Sequence, residues 1–370
     1  MKVVVVGTRG IPDIPGGVET HCQQLYPRLV ELGCDVTVIR RSCYVSPSNR
    51  MEEYRGVKLI DVYAPRKKSF EAFVHTALAI VKARRLRPDL IHCHAVGPSV
   101  VLPLARLLGM RVVATHHGPD YNRAKWNAPA RFIIKWGEWC QARLAHHVIA
   151  ISRPIVAALD DDYERRERVH LIYNGVESPP SDVAADCLAR YGLEPERYVL
   201  AVGRFVPEKR FDWLVKAFTR VAPQGLKLVL AGDADHDDDY SRALKRLAHD
   251  HGAVLTGYVT GEPLRQLQRH ARLFVLPSTH EGLPISLLEA MSHGRDVLVS
   301  DIAANRLSQL GEDDFFHTHD MDDFVARLRS KLERPVDERQ YDLTDYDWDH
   351  IARQTLDVYR LALGRSASKG

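Results

Sequence analysis

Short runs of apolar, largely β-branched residues alternate along this chain with longer segments whose apolar positions recur every three or four residues. The runs at Val3–Val6, Val36–Ile39, Val57–Val62, Leu90–Cys93, Val112–Ala114 and Val148–Ile151 predict strands. Between them, Val18–Leu32, Phe70–Leu86 and Phe132–Ala145 have helical spacing. The pattern restarts at Tyr198–Val202 and continues through Leu226–Ala231, Val254–Thr256, Leu273–Leu276 and Val297–Ser300. Strands that are apolar throughout, joined by helical crossovers, predict parallel sheets covered on both faces. The two beginnings are alike, since VVVVGTR at Val3–Arg9 and LAVGR at Leu200–Arg204 both run from a buried strand through Gly towards Arg.

Between the two halves, ESPPSD at Glu177–Asp182 is rich in turn residues and reads as a linker. The fold expected is α/β, with two Rossmann-like domains facing across a cleft, each binding ligand at the carboxyl ends of its strands. Residues 1–178 form the first domain and 179–345 the second. In 346–370, Trp348, Ile351, Leu356, Tyr359 and Leu363 share one helical face, and this helix is expected to cross back onto the first domain.

A length of 370 residues suits two domains, and 27% charged with 45% hydrophobic residues is ordinary globular composition. No apolar run reaches the length of a membrane span, because the most apolar stretch, Val96–Met110, is broken by Arg106. The first apolar run is too short for a signal-peptide core, so a cytoplasmic protein is expected. Six scattered cysteines without C-x-x-C read as reduced thiols. Net charge is +3, yet residues 1–178 hold 26 Lys and Arg against 17 Asp and Glu, leaving +9 there and −6 in the remainder. A basic first half suggests an anionic partner.

Candidate chemistry gathers after the strands. Gly16 and Gly17 stand just before a helix, where backbone N–H groups can receive an anion. The spacing matches neither G-x-G-x-x-G nor a P-loop. Arg204 and Lys209 follow the first strand of the second domain and suit a diphosphate. PSTHEGLPISLLEAMSHG at Pro277–Gly294 places Glu281 in a loop and Glu289 on a helix, with Pro284 near its first position. Two carboxylates there can accept hydrogen bonds from a sugar and a ribose. His117 follows another strand and can act as a hydrogen-bonding or acid–base group titrating near neutral pH.

Each residue also has an ordinary reading: turn glycines, solvated loop cations, a dipole-favoured Glu, an unengaged His. His92 and His94 share one side of a strand but lack a nearby third ligand, so zinc is not expected. The acidic run Asp233–Asp239 reads as a solvated helix start rather than a cation site. Basic clusters at Arg66–Lys68 and Arg84–Arg87 lack interleaved aromatics, so nucleic acid is not expected as a partner.

Taken together and in order, the Gly16-Gly17 loop, His117-Gly118, Gly203-Arg204, Glu208-Lys209 and the E-x7-E of Glu281 and Glu289 resemble the retaining GT-B glycosyltransferases of family GT4. GTRGIP at Gly7–Pro12, GGVET at Gly16–Thr20, HGPD at His117–Asp120, RAKW at Arg123–Trp126 and SDIAAN at Ser300–Asn305 are similar to a bacterial surface-polysaccharide subgroup that includes rhamnosyltransferases. The resemblance implies sugar transfer, with retention, from a nucleotide-diphosphate sugar bound by the second domain. The acceptor, on the side of the first domain, would be a glycan or a polyprenyl-diphosphate-linked glycan. Arg204 and Lys209 would hold the diphosphate, Glu281 the sugar hydroxyls, and Glu289 the ribose. Gly282, Leu283 and Pro284 would lie beside sugar and phosphate. Gly16 and Gly17 would admit the donor, and His117 would sit beside the transferred sugar. No metal and no cofactor are implied. One departure is Asp296, where the wider family commonly has Pro, and a local turn change is expected there. A lipid-linked acceptor and the basic first half together admit peripheral contact with the inner face of the cell membrane. A sugar-nucleotide 2-epimerase of similar fold and a non-enzymatic scaffold are the alternatives.

Overall fold

The computed structural model describes residues 1–65, 71–119, 128–180, 182–235 and 237–365. The basic cluster Arg66–Lys68, Asp120 and the Arg123–Trp126 motif lie outside the described residues. The chain divides into two compact units, Met1–Gly175 with Asp345–Gly370, and Val176–Thr344.

The first unit is built on an eight-stranded sheet. Its elements run β1 Lys2–Val6, α1 Gly17–Glu31, β2 Asp35–Arg41, β3 Glu53–Tyr54, β4 Val57–Val62, α2 Glu71–Leu86, β5 Leu90–His94, α3 Leu102–Leu107, β6 Val112–His116, α4 Ala128–Leu144, β7 His147–Ala150, α5 Arg153–Tyr163 and β8 Val169–Leu171. The strand order is β3-β4-β2-β1-β5-β6-β7-β8, with Val3 opposite Val36 on one side and Leu90 on the other. All pairings are parallel except the edge pair β3–β4, where two extra residues double back against Val57 and Lys58. The all-parallel expectation fails at that edge because β3 belongs to a short hairpin, which needs no crossover. Val3–Val6 are wholly buried, as strands covered on both faces must be.

The second unit holds β9 Tyr198–Val202, α6 Phe211–Val221, β10 Lys227–Ala231, α7 Asp239–Asp250, β11 Val254–Gly257, α8 Gly261–Arg269, β12 Leu273–Leu276, α9 Ile285–Ser292, β13 Val297–Ser300, β14 Phe315–Phe316 and α10 Met321–Glu333. Its six-stranded sheet has the order β11-β10-β9-β12-β13-β14, parallel throughout. The order reverses at β9, between β10 and β12, the place where an open α/β sheet leaves a crevice beyond its carboxyl edge.

The last helix, α11 Trp348–Ala362, is capped by the Asp347 carboxylate and packs on α1 in the first unit. Trp348, Ile351, Leu356 and Tyr359 join the core that Leu25, Tyr26 and Leu29 of α1 form against the sheet.

Asp296 sits in an ionic cluster. Its carboxylate accepts from Lys331 Nζ (2.6 Å) and Arg339 (2.9 Å), and both cations also bind Asp314 (2.7 and 2.6 Å). The departure from Pro therefore ties the turn before β13 to α10 through charge.

Candidate active site

In the second unit three loops leave the carboxyl edge of the sheet side by side. Gly203 and Gly232, after β9 and β10, both have positive φ, and a Cβ on Gly232 would lie 1.9 Å from the Gly203 carbonyl oxygen. Only glycine permits that approach. It brings the β10 loop against Arg204, whose guanidinium donates to Asp235 Oδ2 at 3.0 Å. Tyr258 donates to the other oxygen of Asp235 at 3.2 Å. A single 3-10 turn, Pro207–Lys209, follows, and the Thr279 amide donates to the Glu208 carbonyl at 2.8 Å, joining the β9 loop to the β12 loop. Across that join Lys209 Nζ donates to Glu281 Oε1 at 2.6 Å. Both side chains are mostly shielded from water, so the pair is held rather than free in solvent.

Pro284 is the N-cap of α9, one residue outside the helix, with Gly282 and Leu283 in the loop before it. Glu289 lies in the second turn of α9. Its carboxylate accepts from Gln268 of α8 at 2.7 Å. Burial pushes its pKa up to about 7, Glu177 adds to the rise, and the Gln268 hydrogen bond opposes it.

The structure thus joins Lys209 to Glu281 directly, sets Arg204 in the same β9 loop as Lys209, and leaves Glu289 on its own contact. The acidic run is not a solvated helix start throughout. Asp238 caps α7 through the Ser241 amide and Asp239 is exposed, but Asp233 and Asp237 pair with Lys245, and Asp235 holds Arg204.

The first unit carries the remaining candidates. Gly16 has φ +146°, and a Cβ there would meet Glu19 Oε2 at 2.1 Å. The buried Glu19 carboxylate folds back over the loop, accepting from the Arg9 amide (2.9 Å) and Thr8 hydroxyl (3.2 Å). Gly17 starts α1, with no atom within 4 Å of where its Cβ would stand. His117 lies just after β6, half-buried, its Nε2 sharing a proton with His94 Nδ1 at 2.9 Å. His94 in turn meets the Tyr26 hydroxyl. His21 of α1 packs edge-on against His117, with centroids 5.0 Å apart, and its Nδ1 meets Asn174 at 3.0 Å.

Two expectations fail here. A third imidazole does stand near the His92–His94 pair, because α1 brings His21 and β6 brings His117 to His94. Among the described residues His21, His94 and His117 are the group that could hold a cation, with ligand atoms within 4.8 Å of one another. Two of the facing nitrogens already satisfy each other. His117 also does not titrate near neutral pH. Burial, then the neighbouring imidazoles His21, His92 and His116, push its pKa well below the usual range, so the ring is neutral.

Residues 15–178 match the family model described as Glycosyltransferase Family 4, and residues 196–334 the model described as Glycosyl transferases group 1. With two parallel-sheet units of this order, the chain belongs to the glycosyltransferases of GT-B fold. It is 26% identical to an uncharacterized glycosyltransferase of Methanocaldococcus jannaschii, covering 98% of this chain and 99% of that one. Alpha-maltose-1-phosphate synthase of Mycolicibacterium smegmatis is 27% identical, over 97% of this chain and 99% of its own. Among solved structures, sucrose-phosphate synthase from Thermosynechococcus elongatus superposes with a TM-score of 0.83 at 22% identity, covering 98% and 99% of the two chains. Anabaena HepE in complex with UDP-glucose gives 0.72 at 18%, covering 98% of each. These similarities favour transfer over the epimerase alternative.

His21, Asn174, Asp235 and Gln268 are the site neighbours that sequence reasoning missed. Each comes from a different element than the group it serves. The one available signal was Asp235 in the acidic run.

Proposed function

We propose that the chain transfers a sugar, with retention, from a nucleotide-diphosphate sugar to a glycan or polyprenyl-diphosphate-linked glycan in bacterial surface-polysaccharide synthesis, in the manner of a rhamnosyltransferase. The observation that carries the reading is the Lys209–Glu281 pair at 2.6 Å, beside the loop of Arg204, at the carboxyl edge of the second sheet. A cation and a carboxylate held together there suit the two ends of one donor: charge for the diphosphate, hydrogen-bond acceptors for the sugar hydroxyls.

On this reading Arg204 and Lys209 offset the charge that builds on the leaving diphosphate. The diphosphate takes the acceptor's proton on the face from which the acceptor attacks. Glu281 orients the sugar, Glu289 accepts from the ribose hydroxyls, and Gly282 to Pro284 pass beside the sugar and phosphate. In the first unit Gly17 leaves room for the donor, and neutral His117 offers a hydrogen bond to the transferred sugar. The two lysine- and arginine-borne charges take the part a divalent ion plays elsewhere, so transfer proceeds without one.

The test is a panel of nucleotide-diphosphate sugars with a lipid extract as acceptor, read by nucleotide release and by the anomeric configuration of the product. Retained configuration in a lipid-extractable product is expected. Inversion would overturn the mechanism, and conversion of the intact nucleotide sugar without acceptor would restore the epimerase. A second acceptor class, a sugar phosphate, is favoured by the synthases among the similar proteins and belongs in the same panel.

A further inference from the structure

We propose that α2, α3 and α4 together form a docking face for an anionic bilayer surface. The crossovers β4 to β5, β5 to β6 and β6 to β7 all step the same way along the first sheet, so right-handed connections put these three helices side by side on one face. The packing of α3 against both α2 and α4 agrees.

Among the described residues, eight of the twelve large apolar side chains that stand exposed lie on these helices. On α4 the inner face is taken by Ile134, Gly137, Glu138 and Gln141, which turns Phe132 (72% exposed), Ile133, Trp136 and Trp139 outward. The two Trp rings stack with centroids 4.7 Å apart. Leu107 on α3 is 85% exposed, and Phe73, Leu78 and Val81 stand out from α2. A soluble surface rarely gathers so much apolar area without something to cover it.

On these three helices the exposed charge has one sign, while α5, the next helix on the same face, carries the exposed Asp161 and Asp162 and bounds the patch. The three helices hold only two acidic residues, Glu71 and Glu138, and both are buried against partners: Arg41 for the first, His116 and Tyr163 for the second. Arg84, Arg85, Arg106, Arg131, Lys135 and Arg143 are exposed. Aromatic rings among outward cations, with no exposed carboxylate on the three helices themselves, match the interface of a bilayer carrying anionic headgroups. A second copy docking through the same face would set cation against cation. The basic sequence clusters on their own lack an apolar anchor; the folded helices supply one next to Arg84 and Arg85.

This surface goes beyond the donor site. It rests on the lipid-linked acceptor reading only for its purpose, and vesicle binding is measured apart from sugar transfer, so either can fail alone. The experiment is sedimentation of the full chain with vesicles of phosphatidylcholine alone and of phosphatidylcholine mixed with phosphatidylglycerol, at low and high salt. Binding to the mixed vesicles is expected, weakened but not abolished by salt. The double variant Phe132→Ser, Trp136→Ser should bind at least about tenfold more weakly, with an unchanged thermal melt, since both side chains are exposed. Equal negligible binding to both vesicle types, or a double variant that sediments like the parent, overturns the proposal. Dimerisation lost in the double variant, without vesicle binding, overturns it in favour of a second copy.

Discussion

Glu281 and Lys209 are worth more together than either alone. Held at 2.6 Å, they would, on the proposed reading, enter the reaction already oriented, with little reorganisation left when charge develops. Glu281→Gln keeps the shape and removes the charge. It should lower kcat/KM for the donor by roughly 10²-fold, measured with acceptor in excess; an unchanged value would remove Glu281 from the donor site. Glu289 makes a different prediction. Its pKa of about 7 means that the carboxylate form, the better acceptor for ribose hydroxyls, is lost as pH falls through neutrality. The donor KM should therefore rise below about pH 7, and that step should vanish in Glu289→Gln. A pH profile identical in the two proteins would count against the ribose role. The types and positions of these residues were legible in the sequence. Their partners were not, because Gln268 and Asp235 arrive from other elements, at distances along the chain that no spacing rule connects.

At the scale of elements, long apolar strands and most amphipathic helices were legible to within a residue or two, for example Leu273–Leu276 and α1, although α4 begins four residues before the expected Phe132. Very short strands were not. Glu53–Tyr54, Val169–Leu171 and Phe315–Phe316 span two or three residues, too few to display a period of two. Buried charge between elements was equally hidden. Lys331 of α10 is 5% exposed and bridges Asp296 and Asp314. Lys331→Ala leaves the buried Asp314 with Arg339 as its remaining cation, and should cost roughly 3 kcal/mol in urea unfolding. A loss under about 1 kcal/mol would mean that Arg339 alone satisfies the cluster. Glu289 again has a stability sign of its own. A folded carboxyl pKa raised above the unfolded value means that the folded state holds the extra proton, so this group's contribution to stability falls as pH rises from about 4.5 to about 7. Glu289→Gln should melt higher than the parent at about pH 8 and alike at about pH 5.

For the whole molecule, the repeated passage from strand through Gly to Arg was enough to suggest two similar α/β units, and family models match over both halves. No described helix is long and apolar enough to cross a membrane. On the function proposed above, the cations at the edge of the second sheet bind and activate a nucleotide-diphosphate sugar without a metal ion. The most direct measurement is turnover of the accepted donor in EDTA by the parent, Arg204→Ala and Lys209→Ala chains. The parent should keep its rate in the chelator, and each variant should lose about 10²-fold in kcat, roughly 2.7 kcal/mol of transition-state stabilisation. Parent activity abolished by EDTA and restored by magnesium or manganese, or near-parent turnover in both variants, would contradict the account.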